Sequence, residues 1–257
     1  MSANELRLIA VEGFPLVEPG DDLVSIILAS LKKMSIRLLE GDCLVLAQKV
    51  ISKAEDRYAY LNDVSVTDEA EILANKVEKD PRLVQLILDE SVEVIRHRPG
   101  AVIVEHRLGY VHANAGIDQS NISSSPDNPR VLLLPQNPDS SADQLRHQLQ
   151  LATGVEHLNI IISDSAGRAW RNGIAGFAIG TSGFEAVVDE VGKADLFARP
   201  LEVTQIAVAD ELAAAASILM GQADNAIPVV LVRGVSLKKS VEGSKGLIRA
   251  REQDLFR

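Results

Sequence analysis

Residues 158–173 read LNIIISDSAGRAWRNG, and this segment is the strongest single indicator of the fold. Its three consecutive isoleucines predict a buried strand, which we expect to end at Ser163-Asp164-Ser165, with Gly167 allowing a turn. A carboxylate at the carboxyl end of a buried strand is a common position for a metal or phosphate site. An aspartate that bonds only nearby backbone in a turn is commoner still, and on this segment alone we favour the turn for Asp164.

Outward from this segment, strands and helices alternate irregularly, without the strict succession of a doubly wound sheet. The sequence therefore predicts a mixed α+β fold. Glycines at 176, 180 and 183 follow the segment and indicate close approach of other backbone or of a ligand. Further strands are predicted over 6–11, 43–47, 101–106, 110–113, 131–134, 201–206 and 227–232, and helices over 21–34, 68–79, 80–96, 141–151 and 207–220. We expect Glu90 and Glu93 to be solvated helix residues and the charged tail after Gly234 to be exposed.

The composition limits the function classes. The 257 residues carry 26 basic and 36 acidic side chains, a net charge of −10, which argues against a general nucleic-acid binder but leaves room for a small basic pocket. The single cysteine, Cys43, forms no internal disulfide and fits a reducing compartment. No signal peptide and no apolar run of about 18 residues is visible, so we expect a cytoplasmic protein without a membrane partner.

Common nucleotide and hydrolase motifs are missing from the sequence. The pair Gly192-Lys193 is followed by alanine and has Val187 where a phosphate-binding loop needs its first glycine. There is no GxGxxG or GxSxG motif, and the five histidines have no metal-ligand spacing, so we interpret them as structural or surface residues. A nucleotide would have to be held by lysines, a metal and loop amides.

Two other features leave alternatives open. Lys49 and Lys53 lie four residues apart, so on a helix they share one face, which is either a solvated surface or a phosphate clamp. Oxygen-bearing side chains suit Mg²⁺ or Mn²⁺, although any acidic protein offers such a set. The candidates are Asp118, Asp164 and Ser165, with either Gln222 or Asp224 in addition.

Several longer segments are more specific. They are GFPL at 13–16, the run 49–55, GIDQSN at 116–121, LLPQNPDSSA at 133–142, IISD at 161–164 with Trp170-Arg171, VADELA at 208–213, MGQ at 220–222 and PVVLVRG at 228–234. Together, and over almost the whole chain, they resemble the coenzyme F420-0:L-glutamate ligase family.

This resemblance implies a GTP-dependent ligase that forms an amide between L-glutamate and the carboxylate of the deazaflavin F420-0, with further γ-linked glutamates in many members. It also implies two divalent ions, Mg²⁺ or Mn²⁺, with K⁺ as a further candidate ion, and an intertwined homodimer. The fold expected is a single catalytic unit over 1–257 with largely antiparallel sheets and two interleaved subdomains. The alternative is a related ligase that acts on a different carboxylate acceptor, and a third possibility is an inactive nucleotide-binding dimer.

Site residues follow from the same resemblance, position by position. Asp118, Asp164 and Lys53 are the expected catalytic residues, with Asp118 and Asp164 on one divalent ion and Ser165 and Gln222 on a second. The expected GTP site comprises Phe14, Pro15, Leu16, Val17, Gln48, Lys49, Lys53, Asn121, Met220, Gly221, Gln222, Ala223, Asp224, Asn225, Ala226 and Ile227.

The chain departs from the family pattern at several positions. Ser165 replaces a threonine, so an oxygen is kept for metal binding, whereas an arginine is lost at Val191. These departures leave the acceptor and the number of glutamates open. The other departures are Gln48, Asp56, Ala166, Ala169 and Ala198.

Overall fold

The computed structural model describes residues 5–255, which form six α-helices and twelve β-strands. The helices are α1 Leu23–Lys33, α2 Gln48–Ala54, α3 Asp68–Val77, α4 Pro81–Asp89, α5 Pro138–Thr153 and α6 Val208–Met220. The strands are β1 Arg7–Ala10, β2 Cys43–Ala47, β3 Tyr58–Tyr60, β4 Ser91–Arg98, β5 Ala101–His106, β6 Val111–Ala113, β7 Arg130–Leu132, β8 Asn159–Arg168, β9 Arg171–Ser182, β10 Val188–Asp189, β11 Gln205–Ile206 and β12 Val229–Arg233. The α+β class predicted from the sequence is confirmed.

A five-stranded sheet in the order β1-β12-β2-β8-β9 forms the centre of the molecule. Only the β2–β8 pair in it is parallel, and the other neighbours are antiparallel. Alternate residues of β2 point to opposite faces, so Leu44 and Leu46 pack with α1 and α5 while Cys43 and Val45 pack with α6. Burial on both faces explains why β2 is apolar throughout, and its predicted bounds are confirmed.

Residues between α2 and α5 build a second apolar cluster. There α3 and α4 pack on the three-stranded sheet β4-β5-β6, and Val102 and Val104 of β5 are fully buried. A small sheet, β3-β7, lies beside them. This cluster and the central sheet are connected by continuous chain, and the division into interleaved subdomains stays a prediction.

The ends of the helices follow the local sequence. Asp22 accepts a hydrogen bond from the Ser25 amide and caps α1, and Asn137 caps α5 in the same way. Gly154 ends α5 with φ 75°, a conformation that favours glycine. The helix predicted over 141–151 therefore exists but begins earlier, at Pro138. No helix among residues 5–255 is long and apolar enough to cross a bilayer.

The helix predicted over 80–96 is wrong in its second half. Helix α4 ends at Asp89, and SVEVIRHR forms strand β4. The β-branched residues Val92 and Val94 favour a strand, and pairing with β5 fixes it. Glu90 is consequently not a solvated helix residue, because it accepts bonds from Arg57 and Arg107, and Glu93 is a strand residue paired with Arg251.

The strand predicted in the opening segment continues further than expected. Strand β8 runs through Ser163-Asp164-Ser165 to Arg168, and the reversal occurs at Trp170, whose φ is 62°. Backbone pairing with β9 sustains these polar residues in a strand. The strand predicted over 201–206 shortens to β11, and the tail is not wholly exposed, since Ser244 is buried and its amide donates to Asp139.

Candidate functional site

A cavity of about 590 Å³ lies where the parallel strands β2 and β8 end. The carboxyl ends of parallel neighbours meet at one edge of a sheet, which brings Ala47 and Asp164 to the same wall. The first turn of α2, the loop at 118–121, the loop at 14–17 and the segment after α6 complete the cavity.

Nearly all of the predicted site residues line this cavity. The exception is Asn225, whose side chain lies against Gly221. A Cβ added to Gly221 would lie 2.0 Å from Asn225 Oδ1. The chain thus brings together residues that are more than 200 positions apart in sequence, such as Phe14 and Ile227. Their individual roles stay predictions. The lining also includes Gly176, which the sequence indicated as a point of close approach, and residues that were not predicted for the site: Ala47, Val50, Ser120, Ser163, Ile174, Ser217 and Pro228.

A larger cavity, about 960 Å³, lies at the opposite end of the central sheet. Its arginines are already neutralised, because Arg233 is paired with the buried Asp42 and Arg146 with Asp143. In this larger cavity the Glu40 carboxylate accepts hydrogen bonds from the backbone amides of Glu156 and His157. None of the predicted site residues lines it, so we place the candidate site in the smaller cavity.

Helix α2 presents Lys49 and Lys53 to the cavity on one face, as the four-residue spacing predicts. The Lys49 ammonium lies 2.7 Å from Asp118 Oδ2 and 2.8 Å from Ser120 Oγ, and the Lys53 ammonium donates to the Asn121 carbonyl at 2.8 Å. Burial, together with the charge of Lys49, lowers the pKa of Lys53. This face is therefore not an ordinary solvated surface.

Asp118 is held by the loop that precedes β7. Its backbone forms an antiparallel bridge with Leu132, and its Oδ1 accepts from both the amide and the hydroxyl of Ser120. Burial opposes ionisation of the carboxyl group, but hydrogen bonds from Lys49 and Ser120 outweigh it and lower the pKa of Asp118. Asp118 is accordingly an ionised carboxylate at neutral pH.

Asp164 projects from β8 rather than from a turn. Its Oδ1 does accept the neighbouring Ser165 amide at 2.8 Å, as a turn aspartate would, but its Oδ2 faces His112 Nε2 at 3.2 Å. Burial opposes the charged imidazole, yet the bond and charge of Asp164 prevail and raise the pKa of His112. The interpretation of Asp164 as a purely local turn residue is wrong.

Sequence reasoning gave no special role to His112. The residue is the centre of the short strand β6, and its contact with Asp164 joins two different sheets. No spacing in the sequence signals such a contact, since it depends on how the two sheets pack. The interpretation of His112 as a structural residue agrees with its burial, but it did not include the contact with Asp164.

The donor set fits a hard divalent cation. Carboxylates of Asp118 and Asp164, the Ser165 hydroxyl and the Gln222 amide offer oxygen atoms on one cavity. Residues 5–255 hold no cluster of three or more His, Cys, Asp or Glu side chains suited to a metal, so hydroxyl and amide oxygens would have to complete the coordination. A cation on Asp118 Oδ2 would also compete with Lys49 for that oxygen.

Comparison with known proteins shows the family of this chain. The sequence model of the F420-0:Gamma-glutamyl ligase family matches residues 13–234. The chain belongs to this family. Every residue that lines the cavity, from Phe14 to Pro228, lies within the part matched by the F420-0:gamma-glutamyl ligase model. The resemblance inferred from the sequence is confirmed.

Individual members of the F420-0:gamma-glutamyl ligase family match over most of their length. A protein of Methanothermobacter thermautotrophicus named Coenzyme F420:L-glutamate ligase is 45% identical over 98% of this chain and 99% of its own. Proteins of the same name from Methanocaldococcus jannaschii and Archaeoglobus fulgidus are 42% and 40% identical, over 85% and 98% of this chain and 85% and 96% of theirs. The similarity thus extends over most of this chain and over most of each relative.

Proposed function

We propose that this protein is a GTP-dependent ligase that forms an amide between L-glutamate and the carboxylate of F420-0. The observation that carries the proposal is the convergence of two lysines and two aspartates on one cavity within the part of the chain that matches the ligase family. Lys49 and Lys53 supply positive charge for nucleotide phosphates, and the carboxylates supply oxygen donors for a cation.

The chemistry requires an activated acid, because a carboxylate and an amine only exchange a proton at neutral pH. In the proposed reaction a carboxylate oxygen of F420-0 attacks the γ-phosphorus of GTP, which gives an acyl phosphate and releases GDP. The amine of L-glutamate then attacks the carbonyl carbon, inorganic phosphate leaves with the bonding electron pair, and the nitrogen loses a proton. No protein nucleophile is needed, since a substrate oxygen performs the first attack.

The protein contributes charge and orientation to both steps. Lys49 and Lys53 would neutralise phosphate oxygens as negative charge moves from the γ-phosphate to GDP. Mg²⁺ or Mn²⁺, held by Asp118 and Asp164 at one position and by Ser165 and Gln222 at a second, would disperse phosphate charge. The apolar walls formed by Phe14 and Ile227 would limit access of water, which otherwise hydrolyses an acyl phosphate.

The partners of this reaction are GTP, L-glutamate and F420-0, and we propose that the active molecule is a homodimer, as the family resemblance implies. The departures at Val191 and Ala198 lie in the segment between β10 and β11 and do not line the cavity. They therefore leave the proposed nucleotide site intact. Because Val191 and Ala198 lie outside the nucleotide cavity, they bear on the acceptor rather than on GTP. A different carboxylate acceptor is therefore the alternative to be tested.

The decisive experiment measures GDP release and identifies the product by mass. Release that requires both L-glutamate and F420-0 is expected, with a product that contains the deazaflavin and at least one added glutamate. Release with glutamate and only another carboxylate would support the alternative acceptor. Binding of GTP without any turnover would refute the ligase. Asp164→Asn serves as the negative control, and we expect it to fold and to lose at least about 100-fold in kcat.

A further inference from the structure

His112 reaches Asp164 from a different sheet of the molecule. It lies in β6, paired with Val104 of β5, while Asp164 lies in β8 of the central sheet. The Nε2 to Oδ2 distance is 3.2 Å, and both side chains are largely buried, at 8% and 13% exposure. The contact is therefore a buried one, made behind the cavity wall to which Asp164 contributes, rather than a surface ion pair.

The second ring nitrogen of His112 is also engaged. Nδ1 lies 2.8 Å from the Ala113 carbonyl oxygen, and because a carbonyl only accepts, Nδ1 carries a hydrogen and donates. On the other side of the ring, Nε2 faces Asp164 Oδ2 at 3.2 Å. The ring is additionally packed against Phe177, with centroids 5.6 Å apart. The Ala113 carbonyl on one side, the Asp164 carboxylate on the other and the neighbouring ring of Phe177 together restrain the orientation of the imidazole.

This orientation acts on the carboxylate in turn. Asp164 Oδ1 accepts the Ser165 amide at 2.8 Å, and Oδ2 faces His112, so the plane of the carboxyl group is determined by one partner on each oxygen. A carboxylate has about four lone-pair sites, so each oxygen can still accept a further partner from the cavity. Without His112, rotation about the last side-chain torsion would be restrained on one side only.

We propose that His112 is a positioning residue for Asp164, which it holds in the orientation that presents carboxylate oxygen to a divalent cation in the cavity. The proposal rests on the proposed function, because it takes Asp164 to be a cation ligand. Partners of this kind, which orient a ligating group without touching the metal, typically change metal affinity by about 10- to 100-fold when they are removed.

The chain offers a matched control in His106. It is likewise a buried histidine of the same three-stranded sheet, and its Nε2 lies 3.5 Å from a carboxylate oxygen of Glu90. Neither histidine lines the cavity, but Asp164, the partner of His112, does, whereas Glu90, the partner of His106, does not. A substitution at His106 removes a buried imidazole from a histidine–carboxylate pair without touching Asp164, and so reports the purely structural consequence.

Two variants separate the functions of the two ring nitrogens. His112→Asn keeps a donor near the position of Nδ1, within reach of the Ala113 carbonyl, but is too short to reach Asp164. His112→Gln places its amide near the position of Nε2 and can keep a donor beside Asp164. If His112 acts only as core packing, the two variants should be similar. If it positions Asp164, His112→Gln should resemble the wild type more closely.

The test is a titration of the whole chain with Mn²⁺ alone, in which electron paramagnetic resonance measures the concentration of free Mn²⁺. Thermal unfolding of every variant is measured in parallel to check that it folds. We expect His112→Asn to raise the dissociation constant of Mn²⁺ about 10-fold or more, His112→Gln to raise it less, and His106→Gln to leave it unchanged. In turnover assays, His112→Asn should raise the Mn²⁺ concentration that gives half-maximal rate.

The outcomes distinguish this inference from the proposed function. If the wild type binds Mn²⁺ and His112→Asn binds it equally well, the positioning role is refuted while the cation site stands. Equal losses in His112→Asn and His106→Gln would reduce the effect to general destabilisation and refute it as well. If the wild type binds no Mn²⁺, the cation site itself is wrong, and the inference falls with it.

Discussion

The side chain of Lys53 has hydrogen-bond donors available for a phosphate. Its hydrogen bond to the Asn121 carbonyl leaves two of its three donors for a ligand. Burial lowers the pKa of its ammonium group, and a phosphate in the cavity would favour the charged form again. A charge-assisted hydrogen bond contributes about 1.5–3 kcal/mol. The position is therefore suited to carry a measurable part of the nucleotide affinity.

We predict that Lys53→Ala raises the KM for GTP about 10-fold or more and changes the KM for L-glutamate much less. The measurement is initial-rate kinetics with each substrate varied in turn. Lys76→Ala on the exposed side of α3 is the control and should change neither value, since Lys76 lies outside the cavity. Equal effects of Lys53→Ala on both substrates would contradict a phosphate role.

Glu90 is a second residue whose environment determines its protonation. Burial opposes its ionisation, but the hydrogen bonds from His106 and Arg107 and the charges of Arg107 and Arg57 prevail and lower its pKa from 4.5 to about 2. A carboxyl group with a lowered folded-state pKa stabilises the protein above its unfolded-state pKa. That contribution is lost as the pH falls from about 4.5 towards 2.

We predict that Glu90→Gln lowers the free energy of unfolding at pH 7 by about 1.5–3 kcal/mol, and that the difference from the wild type shrinks as the pH falls below 4.5. Urea unfolding at pH 7 and pH 3 measures it. Glu93→Gln on the adjacent strand, paired with Arg251 at a more exposed position, should change stability by less than about 1 kcal/mol. A constant difference at both pH values would disprove the coupling.

At the scale of elements, the packing of β9 depends on glycines that the sequence indicated as points of close approach. A Cβ at Gly180 would lie 2.5 Å from the carbonyl carbon of Pro138, the first residue of α5, and one at Gly176 would lie 2.5 Å from the Ala213 carbonyl oxygen in α6. Backbone atoms cannot rotate away as side chains do. Both helices are thus seated against strand positions that only glycine permits.

We predict that Gly180→Ala destabilises the protein by about 1–3 kcal/mol, because α5 must move away from β9 to admit the methyl group. Differential scanning calorimetry of the purified variant provides the test. Gly167→Ala in β8 is the matched control, since an added Cβ there meets nothing within 4 Å, and its Tm should be close to that of the wild type. A Gly180→Ala variant as stable as the wild type would mean that α5 is not in close contact.

Some elements could be predicted from the sequence because their signal is local. The bounds of β2 follow from an apolar run after Gly41-Asp42, and the end of α5 follows from Gly154. The strand β4 was missed because the apolar pattern of α4 continues into it without a break. This segment is a strand rather than a helix because it pairs with β5, and the periodicity of a single sequence does not show such pairing.

The site illustrates the same division between local and tertiary information. Helical spacing was enough to place Lys49 and Lys53 on one face. The gathering of Asp118 and Asp164 came from family resemblance, since their convergence depends on how the loop before β7 folds over the end of β8. The contact between His112 and Asp164 depends on the packing of two sheets, so no local pattern could reveal it.

Across the whole molecule, the cavity joins the two main apolar clusters. Lys49 comes from α2 beside the central sheet, whereas Asp118 and Asn121 come from the loop that precedes β7, a strand of the cluster that contains α3 and α4. Direct bonds already cross between these parts at the cavity: Lys49 to Asp118 and to the Ser120 hydroxyl, Lys53 to the Asn121 carbonyl, and the Asn121 amide to the Ala223 carbonyl. A ligand in the cavity would add contacts to both sides.

We predict that GDP with Mn²⁺ slows amide hydrogen exchange in two segments at once, 118–122 and 220–227, because both line the cavity. At a ligand concentration about 100 times the dissociation constant, binding adds about 2.7 kcal/mol to the stability of the folded state. Exchange in β4, which lines no part of the cavity, should change only as far as global opening contributes to it. Lys53→Ala should reduce the protection of both segments together. Protection confined to one segment would mean that the ligand binds to one side of the cavity and that the two clusters do not form a shared site.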